Sequence, residues 1–326
     1  MALTVLLTGA AGFIGSHTVL ALLARGDRVI GLDNFNPYYD PRRKRANVAE
    51  LAADAPHGDF RLVEGDLRDK ALVERLFAEQ RFDVVVHLAA MAGVRASAED
   101  PVTYYDVNLG GTLTLLEAAR AHGVGRFVFA STSSAYGATT RLPFREDDPA
   151  DRPLAPYPAS KRAAELLGHA YHHLHGTSFT ALRFFTVYGP RGRPDMLTYR
   201  LVDAIRTGVP LTLYQGGRMT RDWTFVSDTV SGIVAAVDAA LGYEIINLGR
   251  GEPALVSDFV AAFERITGRK VPWVEGPKPE ADVERTHAEI DKARRLLGYA
   301  PKVGLEEGAR RTLEWYERAV AKLSRV

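Results

Sequence analysis

Short, continuously apolar runs recur through the first half of the chain, at 3–8, 28–33, 60–64, 83–88, 126–130 and 180–184. Longer amphipathic stretches lie between them, at 13–25, 69–79, 101–122 and 158–175. A strand that is apolar along its whole length is covered on both faces, which is the signature of a parallel sheet. Strand and helix in alternation imply right-handed crossovers. The expected fold class is therefore α/β, a doubly wound parallel sheet of the Rossmann type. Past residue 185 the rhythm changes. Gly-, Pro- and Arg-rich loops separate shorter elements, as expected of a smaller C-terminal α/β substrate lobe. The division expected is 1–184 and 185–326, with the chain returning to the first lobe around 225–250 through a late strand at 244–247.

Composition narrows the function. Lys+Arg of 41 against Asp+Glu of 40 leaves a formal charge of +1, so bulk electrostatics draws the chain to neither nucleic acid nor an anionic membrane. The absence of cysteine removes disulfides, thiolate catalysis and cysteine-ligated metals. His172, His173 and His175 read as a solvated helix end, and no metal is expected. The apolar N-terminus lacks a positively charged start and is broken by glycines, unlike a signal peptide. No stretch approaches the ~18 apolar residues of a membrane span. A soluble, cytoplasmic protein is the expectation.

Thr8-Gly9-Ala10-Ala11-Gly12-Phe13-Ile14-Gly15 ends the first strand and opens the first helix. Glycines there allow a tight turn and close backbone approach to a pyrophosphate, which the helix N-terminus attracts. Asp33 ends the second strand, where a carboxylate accepts hydrogen bonds from adenosine ribose hydroxyls and repels a 2′-phosphate. NAD is favoured, although Arg42, Arg43 and Arg45 keep NADP open and Asp33 also suits a turn before Asn34. Asp66 fits either an adenine contact or the N-cap of the following helix. Asn34, Asn36, Leu67, Leu88, Ala89, Ala90 and Asn108 complete the expected cofactor contacts.

Tyr157-Pro158-Ala159-Ser160-Lys161 places a phenol and an ammonium four apart on one helix face. A nearby ammonium favours phenolate and lowers the phenol's ordinary pKa of about 10, giving a base for a hydroxyl proton. By chance alone, 13 tyrosines in 326 residues give roughly 0.3 such matches. Position decides the matter: the motif opens the helix before the sixth strand. Upstream, Ser131-Thr132-Ser133-Ser134 follows the fifth strand and brings hydroxyls to the same sheet edge.

Together these motifs resemble the extended short-chain dehydrogenase/reductase family, specifically its nucleotide-sugar epimerases and dehydratases. The resemblance runs over nearly the whole chain and implies bound NAD, a UDP-sugar substrate, and a homodimer built on the helices near 101–122 and 158–175. Family dehydratases carry Thr-Asp-Glu where this chain has Thr132-Ser133-Ser134, so 4,6-dehydration is disfavoured. The run Arg183-Phe184-Phe185-Thr186-Val187-Tyr188-Gly189-Pro190-Arg191-Gly192-Arg193-Pro194-Asp195-Met196 is similar to that of UDP-glucuronate 4-epimerases, as is the insertion at 34–40. That likeness implies that Thr186 and Arg193 hold the sugar carboxylate; the alternative for Arg193 is a solvated loop residue. It also makes Arg95 a diphosphate or carboxylate candidate and Arg221 a diphosphate ligand. Asp282 joins the expected substrate contacts. Relatives often carry arginine where Pro279 stands, which puts a diphosphate contact from this loop in question.

The activity implied is reversible C4 epimerisation of UDP-glucuronate to UDP-galacturonate. Tyr157, acidified by Lys161, acts as base, with Thr132 and either Ser133 or Ser134 relaying the proton. The alternatives are a UDP-glucuronate decarboxylase forming UDP-xylose, a UDP-glucose/UDP-galactose 4-epimerase, and a non-catalytic nucleotide sensor of the same fold.

Overall fold

The structure, a computed structural model, describes residues 2–55, 58–139 and 141–323. Strands of the first half are β1 (Thr4–Thr8), β2 (Arg28–Asp33), β3 (Phe60–Glu64), β4 (Val84–His87), β5 (Arg126–Thr132) and β6 (Ser178–Phe184). Shorter strands follow: β7 (Thr186–Tyr188), β8 (Leu211–Tyr214), β9 (Thr220–Arg221), β10 (Trp223–Phe225), β11 (Tyr243–Leu248), β12 (Ala254–Leu255) and β13 (Trp273–Gly276).

The main sheet is wholly parallel, in the order β3-β2-β1-β4-β5-β6-β11. Its central strands bury both faces, as Val5, Leu6 and Leu7 of β1 do with no exposure, whereas the edge strand β3 is only partly covered. The chain order reverses direction beside β1, and a crevice opens there at the carboxyl ends of β1 and β4. β11 adds beyond β6, pairing Ile246 with Leu182, so the chain re-enters the sheet after the loops that follow β6.

Helices cover both faces. α1 (Phe13–Ala24), α2 (Pro41–Asp54), α3 (Lys70–Glu79), α4 (Ala96–Glu99) and α5 (Pro101–Tyr105) precede a π-helical turn at Asp106–Gly110, after which α6 (Gly111–Ala121) and α7 (Pro156–His175) follow. Later come α8 (Leu197–Thr207), α9 (Val226–Asp238), α10 (Val256–Thr267), α11 (Asp291–Leu297) and α12 (Leu305–Leu323). One core cluster joins α1 and α9 to the apolar side chains of α8, α10 and α12, and a second joins α3, α6 and α7. Three two-stranded sheets (β7–β10, β9–β12 and β8–β13) lie outside the main sheet.

Two helices differ from the sequence reading. α2 was not anticipated, because only Lys44, Asn47 and Leu51 of its residues are buried and a single leucine gives no apolar stripe. Its start is nevertheless written locally: Asp40 accepts from the Arg42 amide at 2.9 Å and Pro41 takes the first helical position. The stretch at 101–122 is not one helix. The π turn inserts an extra residue ahead of Gly111, where an added Cβ would stand 1.6 Å from Leu67 Cδ1.

Candidate active site

At the end of β1 the backbone turns sharply back. Gly9 has φ +73°, and an added Cβ there would stand 2.8 Å from the Ala89 amide nitrogen. A Cβ on Gly15 would stand only 1.9 Å from the Gly9 carbonyl oxygen, so helix and turn touch backbone to backbone. α1 starts after Gly12 with no side-chain cap, so its terminal N–H groups face the crevice without competition from a capping hydroxyl.

The crevice holds two adjoining chambers of about 340 and 410 Å³. The first is lined by the glycine turn with Phe13 and Ile14, by Asp33, Asn34 and Asn36, by Asp66 and Leu67, by Leu88, Ala89 and Ala90, and by Thr132, Tyr157 and Lys161. The second is lined by Arg95, Arg221 and Asp282. Tyr157, Thr186 and Arg193 line both and mark the junction.

Most of the charged groups in the crevice arrive with internal partners. Asp33 accepts from the Ala11 and Phe35 amides at 3.1 and 2.9 Å, which fixes its carboxylate at the mouth of the turn. Asp66 is not an N-cap; Asp69 caps α3 instead, through the Leu72 amide at 3.0 Å. Asp66 is paired with Arg68 at 2.8 Å and accepts from Asn34 at 3.0 Å, and these contacts lower its carboxyl to about 2. Arg221 donates to Asp282 at 3.1 Å, while burial lowers the guanidinium below its ordinary value. Arg95 bonds the Tyr214 hydroxyl. Lys278 is occupied within its own loop, donating to the Asp282 carbonyl at 2.9 Å. Arg193 is not a solvated loop residue: its side chain grips Asp195 through Nε and Nη2 at 3.0 and 2.7 Å beneath the Tyr38 ring.

Two expectations differ from the observed placement. Asn108 does not line the crevice. The π turn points it inward, where its amide bonds both backbone groups of Met91 at 2.8 and 3.0 Å and the Ser160 hydroxyl at 3.0 Å. Ser133 and Ser134 lie outside the chambers as well, because the chain winds there into a 3₁₀ turn that Thr132 caps through the Ser134 amide at 3.1 Å. Of the hydroxyls at 131–134, those of Ser131 and Thr132 belong to residues that line the first chamber. Tyr157 lines the first chamber together with Thr132 and Lys161. Burial pushes the phenol up, and what pulls it down is the Thr132 hydroxyl and the Arg193 charge.

Lys161 stands one turn further along the same face of α7. Its Nζ sits 4.1 Å from the centroid of the Phe129 ring, is buried, and has no hydrogen-bond partner. Burial lowers the ammonium to about 7, with Glu165 opposing the shift. Glu165, one turn further along α7, was not anticipated. It accepts from Ser131 at 2.5 Å and from Arg183 at 2.9 and 2.7 Å, tying the ends of β5 and β6 to the catalytic helix. Its position four residues after Lys161 is the signal that could have pointed to it.

Known proteins show the same organisation. The family model described as the NAD dependent epimerase/dehydratase family matches residues 5–249. The chain belongs to that family. As such an epimerase/dehydratase it is 42% identical over 331 residues to UDP-glucuronate 4-epimerase 3 of Arabidopsis thaliana, with 96% of this chain and 76% of that protein covered. It is likewise 42% identical to UDP-glucuronate 4-epimerase of Thermodesulfobacterium geofontis, with 95% of each chain covered. The crystal structure of UDP-glucuronic acid 4-epimerase from Bacillus cereus, in complex with UDP-glucuronic acid and NAD, superposes with a TM-score of 0.89 at 35% identity. It covers 97% of this chain and 99% of that one.

The residues fit the family's cofactor. An unpartnered buried ammonium at Lys161 suits ribose hydroxyls, and the side-chain-free turn at Gly9 and Gly15 suits a pyrophosphate. Among the described residues, no helix is long and apolar enough to cross a membrane.

Proposed function

We propose that this family member interconverts UDP-glucuronate and UDP-galacturonate by inverting C4 of the sugar. The observation that carries the reading is the junction of the two chambers, where Tyr157, Thr186 and Arg193 meet. A proton acceptor and a carboxylate-binding pair thus share the one place where a dinucleotide in the first chamber meets a sugar in the second.

NAD supplies, when bound, a hydride acceptor and, in its oxidised form, a positive charge that favours phenolate. Tyr157 takes the proton of the C4 hydroxyl while the C4 hydrogen leaves with its electron pair, which makes a ketone. Thr132 hydrogen-bonds the same oxygen. Lys161 holds the cofactor's ribose hydroxyls. The ketone then turns over within the site, receives the electron pair and hydrogen on its other face, and recovers the proton from Tyr157.

The ketone is a β-keto acid, which loses CO₂ when its carboxylate bond aligns with the carbonyl π system. Arg193, with its guanidinium edge, and Thr186, with its hydroxyl, grip the carboxylate and keep that bond out of alignment. Arg95 and Arg221 take the diphosphate. Purified protein incubated with UDP-glucuronate and followed by proton NMR should accumulate the C4 epimer, and Tyr157→Phe should abolish turnover while retaining NAD. A pentose with CO₂ would instead identify a decarboxylase. Faster conversion of UDP-glucose would identify a neutral-sugar epimerase.

We propose further that two copies associate through the exposed apolar side chains of α5, α6 and α7, which include Val102, Tyr105, Leu113 and Leu166.

A further inference from the structure

Helix α2 touches the cofactor chamber at one end and the loop that carries Arg193 at the other. Its polar residues Lys44, Asn47, Glu50 and Asp54 recur at intervals of three, three and four, which sets them along one side of the helix. Toward the cofactor chamber, Lys44 Nζ donates to the Asn36 carbonyl at 3.2 Å and stands 3.9 Å from Asp33. Asn47 donates to the Ala11 carbonyl, in the glycine turn, at 3.0 Å. At the other end, Glu50 and Asp54 accept from Arg191 Nε and Nη2, each at 2.9 Å. The Trp315 indole donates to the same Glu50 oxygen at 3.3 Å.

Arg191 belongs to the loop that delivers Arg193. Its φ is +60°, a left-handed conformation that costs a non-glycine residue free energy and persists only where neighbours enforce it. Its side chain is 3% exposed. The flanking residues are fastened too. His17 Nε2 donates to the Pro190 carbonyl at 2.9 Å, and the Tyr199 hydroxyl accepts from the Gly192 amide at 2.8 Å while donating to the Gly189 carbonyl at 3.3 Å. Arg193 follows directly. Its ion-pair partner Asp195 sits in the same loop and moves with it, so that contact cannot locate the guanidinium relative to the sheet. The Tyr38 ring, the bonds to Pro190 and Gly192 and the two ion pairs of Arg191 all reach the loop from other segments, and of these only the Arg191 pairs tie it to α2.

We infer that Arg191 is a positioning residue: braced by Glu50 and Asp54, it sets the point from which Arg193 enters the junction. Preference for an acidic sugar is thereby tied to the helix that also contacts the cofactor turn. The inference rests on the reading of Arg193 as the carboxylate partner given above.

Calorimetric titration of NAD-loaded protein with UDP-glucuronate, UDP-glucose and UDP tests it. Arg191→Met should weaken UDP-glucuronate binding about tenfold and leave UDP and UDP-glucose within about twofold. In an Arg193→Met background the same substitution should have no further effect, since a residue acting through another loses its influence when that other is gone. The double variant Glu50→Gln/Asp54→Asn keeps Arg191 and should shift UDP-glucuronate binding in the same direction, which guards against a variant that merely folds badly. Equal weakening of all three ligands, or additive losses in the Arg193→Met background, would reduce Arg191 to a structural role and overturn the inference. So would retention of the wild-type preference in both sets of variants. A wild-type protein that does not prefer UDP-glucuronate to UDP-glucose overturns the functional reading and this inference together.

Discussion

Burial shifts the two central ionisable groups toward their neutral forms, lowering the Lys161 ammonium to about 7 and raising the Tyr157 phenol. An unfolded lysine titrates near ~10.4. Between roughly pH 7 and 10 the unfolded chain therefore binds a proton that the folded chain does not, and stability contributed by this site rises with pH across that window. Removing the ammonium removes the penalty. Lys161→Met, stripped of cofactor, should melt above the wild type at pH 7 by ~2 °C or more. The gap should close as the pH approaches 10, while turnover is lost. Thermal scans at both pH values check this; a variant that melts lower at pH 7 would mean that the contact with Phe129 outweighs desolvation. The motif Tyr157-x-x-x-Lys161 was legible because spacing alone puts both groups on one helix face. Their protonation was not, because it depends on how much water the surrounding strands exclude.

Among the elements, the turn between β1 and α1 has little freedom. A methyl group at Gly15 meets the Gly9 carbonyl at 1.9 Å, a backbone atom that moves only if the turn opens. Gly26 has φ +89° but no heavy atom within 4 Å of an added Cβ, so alanine there carries the conformational cost of about 1 kcal/mol without a clash. After loading with NAD and removal of the excess, Gly15→Ala should therefore hold far less nucleotide than the wild type, whereas Gly26→Ala should hold as much. Quantifying the nucleotide released by acid from both proteins measures the difference, and equal retention would show that the turn tolerates displacement. This turn could be read from the sequence because its glycines immediately follow an apolar run. α2 could not, since it is held by ion pairs and one leucine rather than by an apolar stripe.

For the whole molecule, the two helices flanking the π turn and the outer face of α7 leave apolar side chains in solvent, with Val102 68% and Leu166 55% exposed. Covering such surface with a second copy is favourable at roughly 25 cal/mol per Å² buried. Replacing both residues by glutamate would put like charges in the proposed contact and should convert the proposed dimer to a monomer by sedimentation, with Tyr157 and its neighbours untouched. A variant that sediments like the wild type would exclude this face as the interface.

Periodicity and local chemistry determined the parallel sheet, the glycine turn with its carboxylate at Asp33, and the Tyr157/Lys161 face, because each is encoded over a few consecutive residues. Family likeness marked Thr186 and Arg193. Tertiary structure alone decided that Asn108 points inward, that Ser133 and Ser134 wind away from the crevice, and that Arg191 is clasped by a helix some 140 residues earlier. These outcomes depend on contacts between segments far apart in the chain. Whether a side chain faces ligand or neighbour is settled only when those segments meet and compete for its hydrogen bonds.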